Sequence, residues 1–211
     1  MPVTVHEYDL PDAFLFKAEK DGFLVWQPEG YHIVLGQSNS AGKSLFAANV
    51  IADNIPVTRR PSGGEAVILT PSTIVVSVAM SFPAMITFRN FFRMVNEVII
   101  EGLESLGVKD LGMKGISDIA IGERKILGSS MANHRNRLVY HAVINAGEDP
   151  ALFERYLRHP SREPGYRSGR SHSEFVTSLR NEGYNFSTGE IIDAISRCLG
   201  SESKNGFLKD L

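Results

Sequence analysis

Two arginines run into a proline–glycine turn at Arg59-Arg60-Pro61-Ser62-Gly63-Gly64-Glu65-Ala66-Val67, and an apolar, strand-like stretch follows. Glycine lets a backbone approach a ligand without a Cβ clash. Successive N–H groups in such a bend can form an anion-cradling concavity. Arginines add forked, charge-assisted hydrogen bonds to a phosphate or carboxylate. A second candidate is Lys125 in Lys125-Ile126-Leu127-Gly128-Ser129-Ser130. An apolar pair and then small residues follow it, so its ammonium can point across a small-residue floor toward a carbonyl or phosphate oxygen. Asp118 sits on the opposite arm of the same predicted hairpin. Taken alone, the first segment equally describes a surface turn with solvated arginines, and a lone lysine most often ends in water.

Other patterns carry less. Gly36-Gln37-Ser38-Asn39-Ser40-Ala41-Gly42-Lys43-Ser44 comes near a phosphate-binding loop but has five residues between its glycines where that loop has four. One extra residue changes which N–H groups point inward, so a strand end, a turn and a helix start at Ser40 or Ser44 fit better. His134, His141, His159 and His172 are scattered and lack the spacing of a zinc pair with a third ligand nearby, so no metal site is expected among them. A Ser-His-Asp triad stays open, although the chain has no Gly-x-Ser-x-Gly elbow. Arg155, Arg158, Arg162, Arg167 and Arg170 make one stretch locally basic. This is either a solvated face or a docking surface for an acidic protein. Aromatic residues do not alternate with the bases as a nucleic-acid surface would require.

The elements that must position these groups begin with short β-candidates at Val3–Tyr8, Phe23–Gln27, Tyr31–Leu35, Ile55–Arg59, Ala66–Leu69 and Ile74–Met80. Short helices are predicted at Pro11–Lys20 and Leu45–Asp53. Ala84–Leu106 is the longest helical candidate. Met85, Phe88, Phe92, Val95, Ile99, Leu103 and Leu106 recur three or four apart as one buried stripe, and Gly107 is the stop. Ile116–Ile121 and Lys125–Met131 read as a hairpin around Gly122-Glu123, and Leu138–Asn145 as a strand. Pro150–Arg158, Ser171–Asn181 and Ser187–Cys198 read as helices. A β-rich first part, one long central helix and terminal helices suggest an α+β fold with helices packed on a sheet, without regular βαβ alternation.

At 211 residues the chain suits one well-buried domain. A formal net charge of −2 gives no global reason to expect nucleic acid or an anionic membrane as partner. The single cysteine, Cys198, excludes an internal disulfide framework and a multi-cysteine zinc site. No early apolar run carries a basic flank and a small-residue cleavage site. No stretch is long and apolar enough to span a bilayer, so a cytoplasmic location without a membrane partner is expected.

Taken together, the segments resemble the catalytic domain of lipoate–protein ligases and their octanoyltransferase and biotin-ligase relatives. His32 to Asn39 is similar to the family's strand ending in Gly-Arg/Gln-x-Gln/Asn. Arg59 to Val67 is similar to R-R-x-[ST]-G-G-G-A-V, and Gly115 to Ile119 to G-x-N-D-[IL]. Lys125 to Ser130 is similar to K-[IV]-[SG]-G-S-[AS], and Tyr166 to Leu179 to a tail of short members. The resemblance implies a mixed, largely antiparallel central sheet flanked by helices, like that of class II aminoacyl-tRNA synthetases and biotin ligases. It also implies one catalytic domain over residues 1–211 without an accessory C-terminal domain.

The implied chemistry activates lipoate or octanoate with ATP and Mg as co-substrates to an acyl-adenylate, with no permanently bound cofactor. A lysine of an acidic lipoyl-carrier domain then forms the amide. Some short relatives need a separate small accessory protein. The resemblance makes Lys125 the essential lysine, placed where negative charge grows at the acyl carbonyl and bridging phosphate oxygen. It puts Arg59, Arg60, Ser62, Gly63, Gly64, Glu65 and Ala66, with Gly128 and Ser129, around the substrate and adenylate. Asp118 helps place the adenylate and the Mg. Three positions depart from the pattern. Glu65 replaces the third loop glycine, Ile68-Leu69-Thr70 replaces Tyr-His-Asp, and Ser117 replaces an asparagine. A carboxylate beside a phosphate is repulsive unless offset. A non-catalytic acyl- or partner-binding member, and an octanoyl or biotinyl transferase, therefore stay open as alternatives. A thioester route has only Cys198, which reads as a packing residue.

Overall fold

The computed structural model describes residues 2–81, 87–134 and 137–205. Two sheets face each other, and helices cover the outer face of each. The larger sheet has six antiparallel strands, β2 (Gly22–Trp26), β6 (Thr73–Ser81), β10 (Arg137–Asn145), β9 (Arg124–His134), β8 (Asp118–Ile121) and β7 (Leu111–Lys114), paired in that order. The smaller has β1 (His6–Glu7), β4 (Val57–Arg59), β3 (His32–Leu35) and β5 (Val67–Leu69), with β4 parallel to both β1 and β3 and β5 antiparallel to β3. The expected mixed, largely antiparallel α+β architecture is thus present, divided into two sheets.

β6 is buried along eight of its nine residues, because sheet neighbours flank it and both of its faces are covered. That explains its nearly continuous apolar run. Along β10, Leu138, Tyr140, Ala142 and Ile144 face the helices α3 (Phe88–Ser105) and α6 (Thr188–Asn205) and form the main core with Phe91, Val95, Ile99, Leu103, Ile191 and Ile195. The alternate residues face the small sheet, where Val34, Leu69, Val75 and Val143 meet. On the far side of the small sheet, α2 (Ala47–Ala52) and α4 (Pro150–Tyr156) pack Val50, Phe153 and Tyr156 on Ile33, Leu35 and Val57.

The long helix carries the predicted Val95–Ile99–Leu103 stripe, but Phe91 and not Phe88 anchors its first turn; Phe88 is exposed. Thr87 caps it by accepting from Asn90 N, and Gly107 follows at φ 95°. Met85 and the proposed start at Ala84 lie outside the described residues. Pro11–Lys20 contains only a 3-10 turn at Ala13–Phe16. Ser171–Asn181 shortens to α5 (His172–Phe175), because Thr177 N donates to Lys125 O and Val176 bridges to Lys125, so strand-like capture by β9 ends the helix.

Candidate active site

Lys125 lies on β9 just past the Gly122-Glu123 turn, and the register shows how it is aimed. β8 pairs Ile119 with Leu127 but Ala120 with Lys125, so Ile126 is an extra residue, a β-bulge. In regular pleating Lys125 and Gly128 would lie on opposite faces. The bulge turns Ile126 and Leu127 together into the main core and leaves Lys125 on the same face as Gly128. A Cβ added at Gly128 would fall 2.6 Å from Lys125 Nζ, so the side chain lies directly over that glycine. The small-residue floor expected from the sequence is therefore present. Lys125 Nζ donates to Asp118 Oδ1 at 2.8 Å, and Tyr166 donates its O–H to Asp118 Oδ2 at 2.9 Å. Burial, and then the Asp118 charge, push the Tyr166 phenol well above its ordinary value, so it stays a donor. Ser129 Oγ donates to Ser117 O at 2.7 Å and ties β9 to the loop before β8.

The arginine–glycine turn is built from inside. Arg60 is buried and gives its guanidinium to backbone carbonyls: Nη2 to Gly63 O at 2.7 Å and Glu65 O at 2.9 Å, and Nη1 to Val34 O at 3.3 Å. Burial lowers its pKa to about 10, still charged at neutral pH. Arg59 Nη1 donates to the carbonyls of Gly36, Gln37 and Asn39. Carbonyls thus converge inward in the Gly36–Ser44 segment, opposite to a phosphate loop. As expected, a turn follows the β3 strand and a single helical turn, α1 (Ala41–Ser44), begins after Ser40. Gly36 touches the second loop so closely that a Cβ there would lie 2.0 Å from Gly64 O. Ser62, fully buried, meets Ser130 through their hydroxyls at 3.0 Å and fastens the turn to β9.

The Glu65 carboxylate has partners: Oε2 accepts from Asn39 Nδ2 at 3.3 Å, and Oε1 accepts from Ser161 Oγ and Arg162 N, each at 3.2 Å. It ties the turn to the segment after α4. Of the three residues in place of Tyr-His-Asp, Ile68 lines the site, Leu69 joins the inter-sheet core, and Thr70 accepts from Thr73 Oγ1 through its carbonyl at 2.9 Å.

One cavity of about 840 Å³ joins these parts. Arg60, Gly64, Glu65, Ala66, Asp118, Lys125, Gly128 and Ser129 all line it, while Arg59, Ser62 and Gly63 stand behind and shape it. Lys43, Arg158, Arg162 and Arg167 also reach it, giving six cationic residues against the carboxylates of Glu65, Asp118 and Glu163. A cavity this cationic, in a chain of net charge −2, favours an anionic ligand.

Sequence reasoning missed Tyr166, Arg167 and His172 as site residues. Arg167 is buried and Arg170 half-buried; both guanidinium groups lie over the Phe175 ring, at 4.9 and 5.2 Å, and Lys125 Nζ lies 6.0 Å from it. Their spacing within Tyr166–Phe175 was the available signal, since a basic pair flanking a buried aromatic is poorly explained as a solvated run. Burial and then Arg167 lower the His172 pKa to about 4, so it is neutral at physiological pH. Arg155 pairs with Asp53, and Arg158 lies over Phe46; these and Arg162 stay exposed. Among the described residues no group of three or more His, Cys, Asp or Glu could hold a metal ion, and no helix is long and apolar enough to cross a membrane. Cys198 packs against the main core on α6 and is not among the cavity-lining residues.

The chain is similar in sequence and in fold to known proteins. Lipoate--protein ligase 1 of Staphylococcus aureus is 31% identical over 149 residues, covering 70% of this chain and 43% of that protein. The chain spans about half the length of the first curated relatives it matches. The bi-partite lipoate protein ligase of Thermoplasma acidophilum, studied with its E2 lipoyl domain, superposes with a TM-score of 0.76 at 18% identity, over 97% of this chain and 84% of that one. A lipoate-protein ligase A bound with ATP superposes with a TM-score of 0.73 at 19% identity, over 97% and 86%. These two show the shared fold. Residues 10–200 match the family described as Lipoyl protein ligase A/B catalytic domain, and the chain belongs to that family.

Proposed function

We propose that this chain is a lipoate-ligase-type acyltransferase that activates a medium-chain carboxylic acid, such as lipoate or octanoate, with ATP and passes the acyl group to a carrier lysine. The carrying observation is Lys125 Nζ, held by Asp118 over Gly128 and sharing one cavity with the arginine–glycine turn. In the first step a carboxylate oxygen attacks the α-phosphorus and the bond to pyrophosphate breaks. In the second a neutral lysine amine attacks the acyl carbon, the carbon–oxygen bond to AMP breaks, and the amine gives up a proton. Negative charge grows on the phosphoryl oxygens and departing pyrophosphate in the first step, and on the carbonyl oxygen and then the bridging oxygen to AMP in the second, where an aimed ammonium is worth about 3 kcal/mol. The cationic lining balances the phosphates. Glu65, occupied by Asn39, Ser161 and Arg162, shapes the rim.

Mg would arrive with the nucleotide, as Mg commonly takes only one or two protein carboxylates beside substrate phosphates. Asp118 is the candidate, at the cost of one of its two present hydrogen bonds. Exposed Arg155, Arg158 and Arg162 offer a docking edge for an acidic carrier domain. The position of Cys198 away from the cavity speaks against a thioester route. The test is incubation with lipoate or octanoate, ATP and Mg, following pyrophosphate release with and without a carrier domain and a small accessory protein. Absence of acid-dependent release under all these conditions refutes the reading.

A further inference from the structure

Tyr166 stands behind the Lys125–Asp118 pair. The cavity wall takes Gly165 and Arg167 on either side of it, and Tyr166 itself is not among the cavity-lining residues. Its hydroxyl donates to Asp118 Oδ2 at 2.9 Å, while Oδ1 of the same carboxylate accepts from Lys125 Nζ at 2.8 Å. Asp118 is buried and Tyr166 half-buried. One edge of the tyrosine ring lies against Gly115, where an added Cβ would stand 3.8 Å from Cε1. The ring centre is 5.0 Å from that of buried Phe175. The 3-10 turn that carries the tyrosine, Gly165–Arg167, is fastened to the β8–β9 hairpin. Arg170 Nη2 donates to Tyr166 O at 2.8 Å and to Glu123 O, at the hairpin tip, at 3.2 Å.

A lysine and an aspartate alone do not fix each other. A carboxylate turns easily about its last torsion, where the wells are broad and roughly two-fold. Lysine ends a flexible four-carbon stem as a point charge with three donors. An unpartnered carboxylate oxygen in a buried setting is costly, so a free Oδ2 would draw the ammonium onto both oxygens. That would use two of the three N–H groups of Lys125 and pull Nζ toward Oδ2. With Tyr166 on Oδ2, Oδ1 is the oxygen left for the lysine, and two N–H groups stay available for substrate oxygens. The tyrosine suits this place because its ring is packed and because burial, and then the Asp118 charge, keep its phenol protonated.

We propose that Tyr166 is a positioning residue: by holding Oδ2 it fixes the plane of the Asp118 carboxylate, and so the point at which the Lys125 ammonium stands over Gly128. The catalytic consequence rests on the ligase reading of Lys125. Tyr166 acts through Asp118 from behind the cavity wall, so its loss should be felt in turnover and not in substrate binding. Losing a hydrogen bond to a charged group corresponds to about ten- to a hundredfold, and a 1 Å misplacement of an aligned group can cost about 100-fold.

The experiment compares the full chain with Tyr166→Phe, which removes the hydroxyl and keeps the packed ring. In acid-dependent pyrophosphate exchange the variant should lose about tenfold or more in kcat, with KM for acid and for ATP within about twofold. In a Lys125→Ala background the same change should cost nothing further, since the hydroxyl acts through the lysine. A merely structural role would cost alike in both backgrounds. A second readout needs no turnover. The proton–nitrogen NMR signal of the Lys125 ammonium, assigned by its absence in Lys125→Ala, should stand apart from those of exposed lysines and move toward them in Tyr166→Phe. A kcat loss smaller than about fivefold, a raised kcat, or an equal loss in the Lys125→Ala background overturns the proposal and leaves the ligase reading standing. An unmoved ammonium signal overturns it whatever the activity. Absence of exchange by the unaltered chain overturns the ligase reading, and the ammonium signal then decides the positioning alone.

Discussion

Replacing Gly128 with alanine places a methyl group 2.6 Å from Lys125 Nζ and 2.7 Å from its Cε, with Asp118 Oδ1 at 3.7 Å. Non-bonded atoms settle at about 3.5 Å or more, so the ammonium must retreat by roughly 1 Å. The obstructed atoms end a flexible side chain, and β9 itself need not move. Glycine in a strand costs about 0.5–1 kcal/mol relative to alanine, so the fold should be as stable as before or slightly more so. The reaction should respond otherwise, since a 1 Å misplacement of an aligned group can cost about 100-fold. Gly128→Ala is therefore expected to lower kcat/KM for acid-dependent pyrophosphate exchange by about two orders of magnitude, with an unchanged urea midpoint. Lys125→Ala should lose about 100- to 1,000-fold. Because the glycine acts only through the lysine, the double variant should be no worse than Lys125→Ala. Activity of Gly128→Ala within about threefold of the unaltered chain, or a further loss in the double variant, would refute the reasoning.

Gly36→Ala makes the opposite kind of clash, against the Gly64 carbonyl oxygen at 2.0 Å, where backbone must move. It is expected to cost about 1–3 kcal/mol by chemical denaturation and to weaken acid binding by displacing the turn. The pKa of His172, lowered to about 4 by burial and by Arg167, implies a pH effect on stability. Between pH 6.5 and 4 the unfolded chain binds the extra proton, so stability should fall on acidification through that window and be fully present above it. His172→Asn should flatten this part of the urea-midpoint profile relative to the unaltered chain; parallel profiles would show that His172 is not the titrating group.

Much of the fold was legible because its signals are local. The Val95–Ile99–Leu103 stripe, the Gly107 stop and the Gly122-Glu123 turn each express a propensity that tertiary packing reinforces. Ser171–Asn181 misleads as one helix because one long-range pairing, Thr177 N to Lys125 O, outweighs helical propensity there. β7 was missed because Leu111–Lys114 is short, contains Gly112 and is held by β8 alone. The turn and the lysine were legible as chemistry, but the partners of each were not. Tyr166 meets Asp118 across 48 residues, and Ser62 meets Ser130 across 68, which no local pattern records. Splitting into two sheets was likewise invisible, since strand order depends on which apolar faces meet.

The unpaired residue at Ile126 has a consequence for how such sequences diverge. Lysine and glycine three positions apart share a side of a strand only because one residue between them is left out of the ladder with β8. Deleting that residue would restore regular pleating with the lysine and glycine two positions apart, still on one side of the strand. The spacing of amine and glycine is thus tied to the ladder: three positions need the bulge, and two need its absence. A relative one residue shorter in this interval should keep its amine on the cavity side only with an unbroken ladder, and one of equal length only with the bulge.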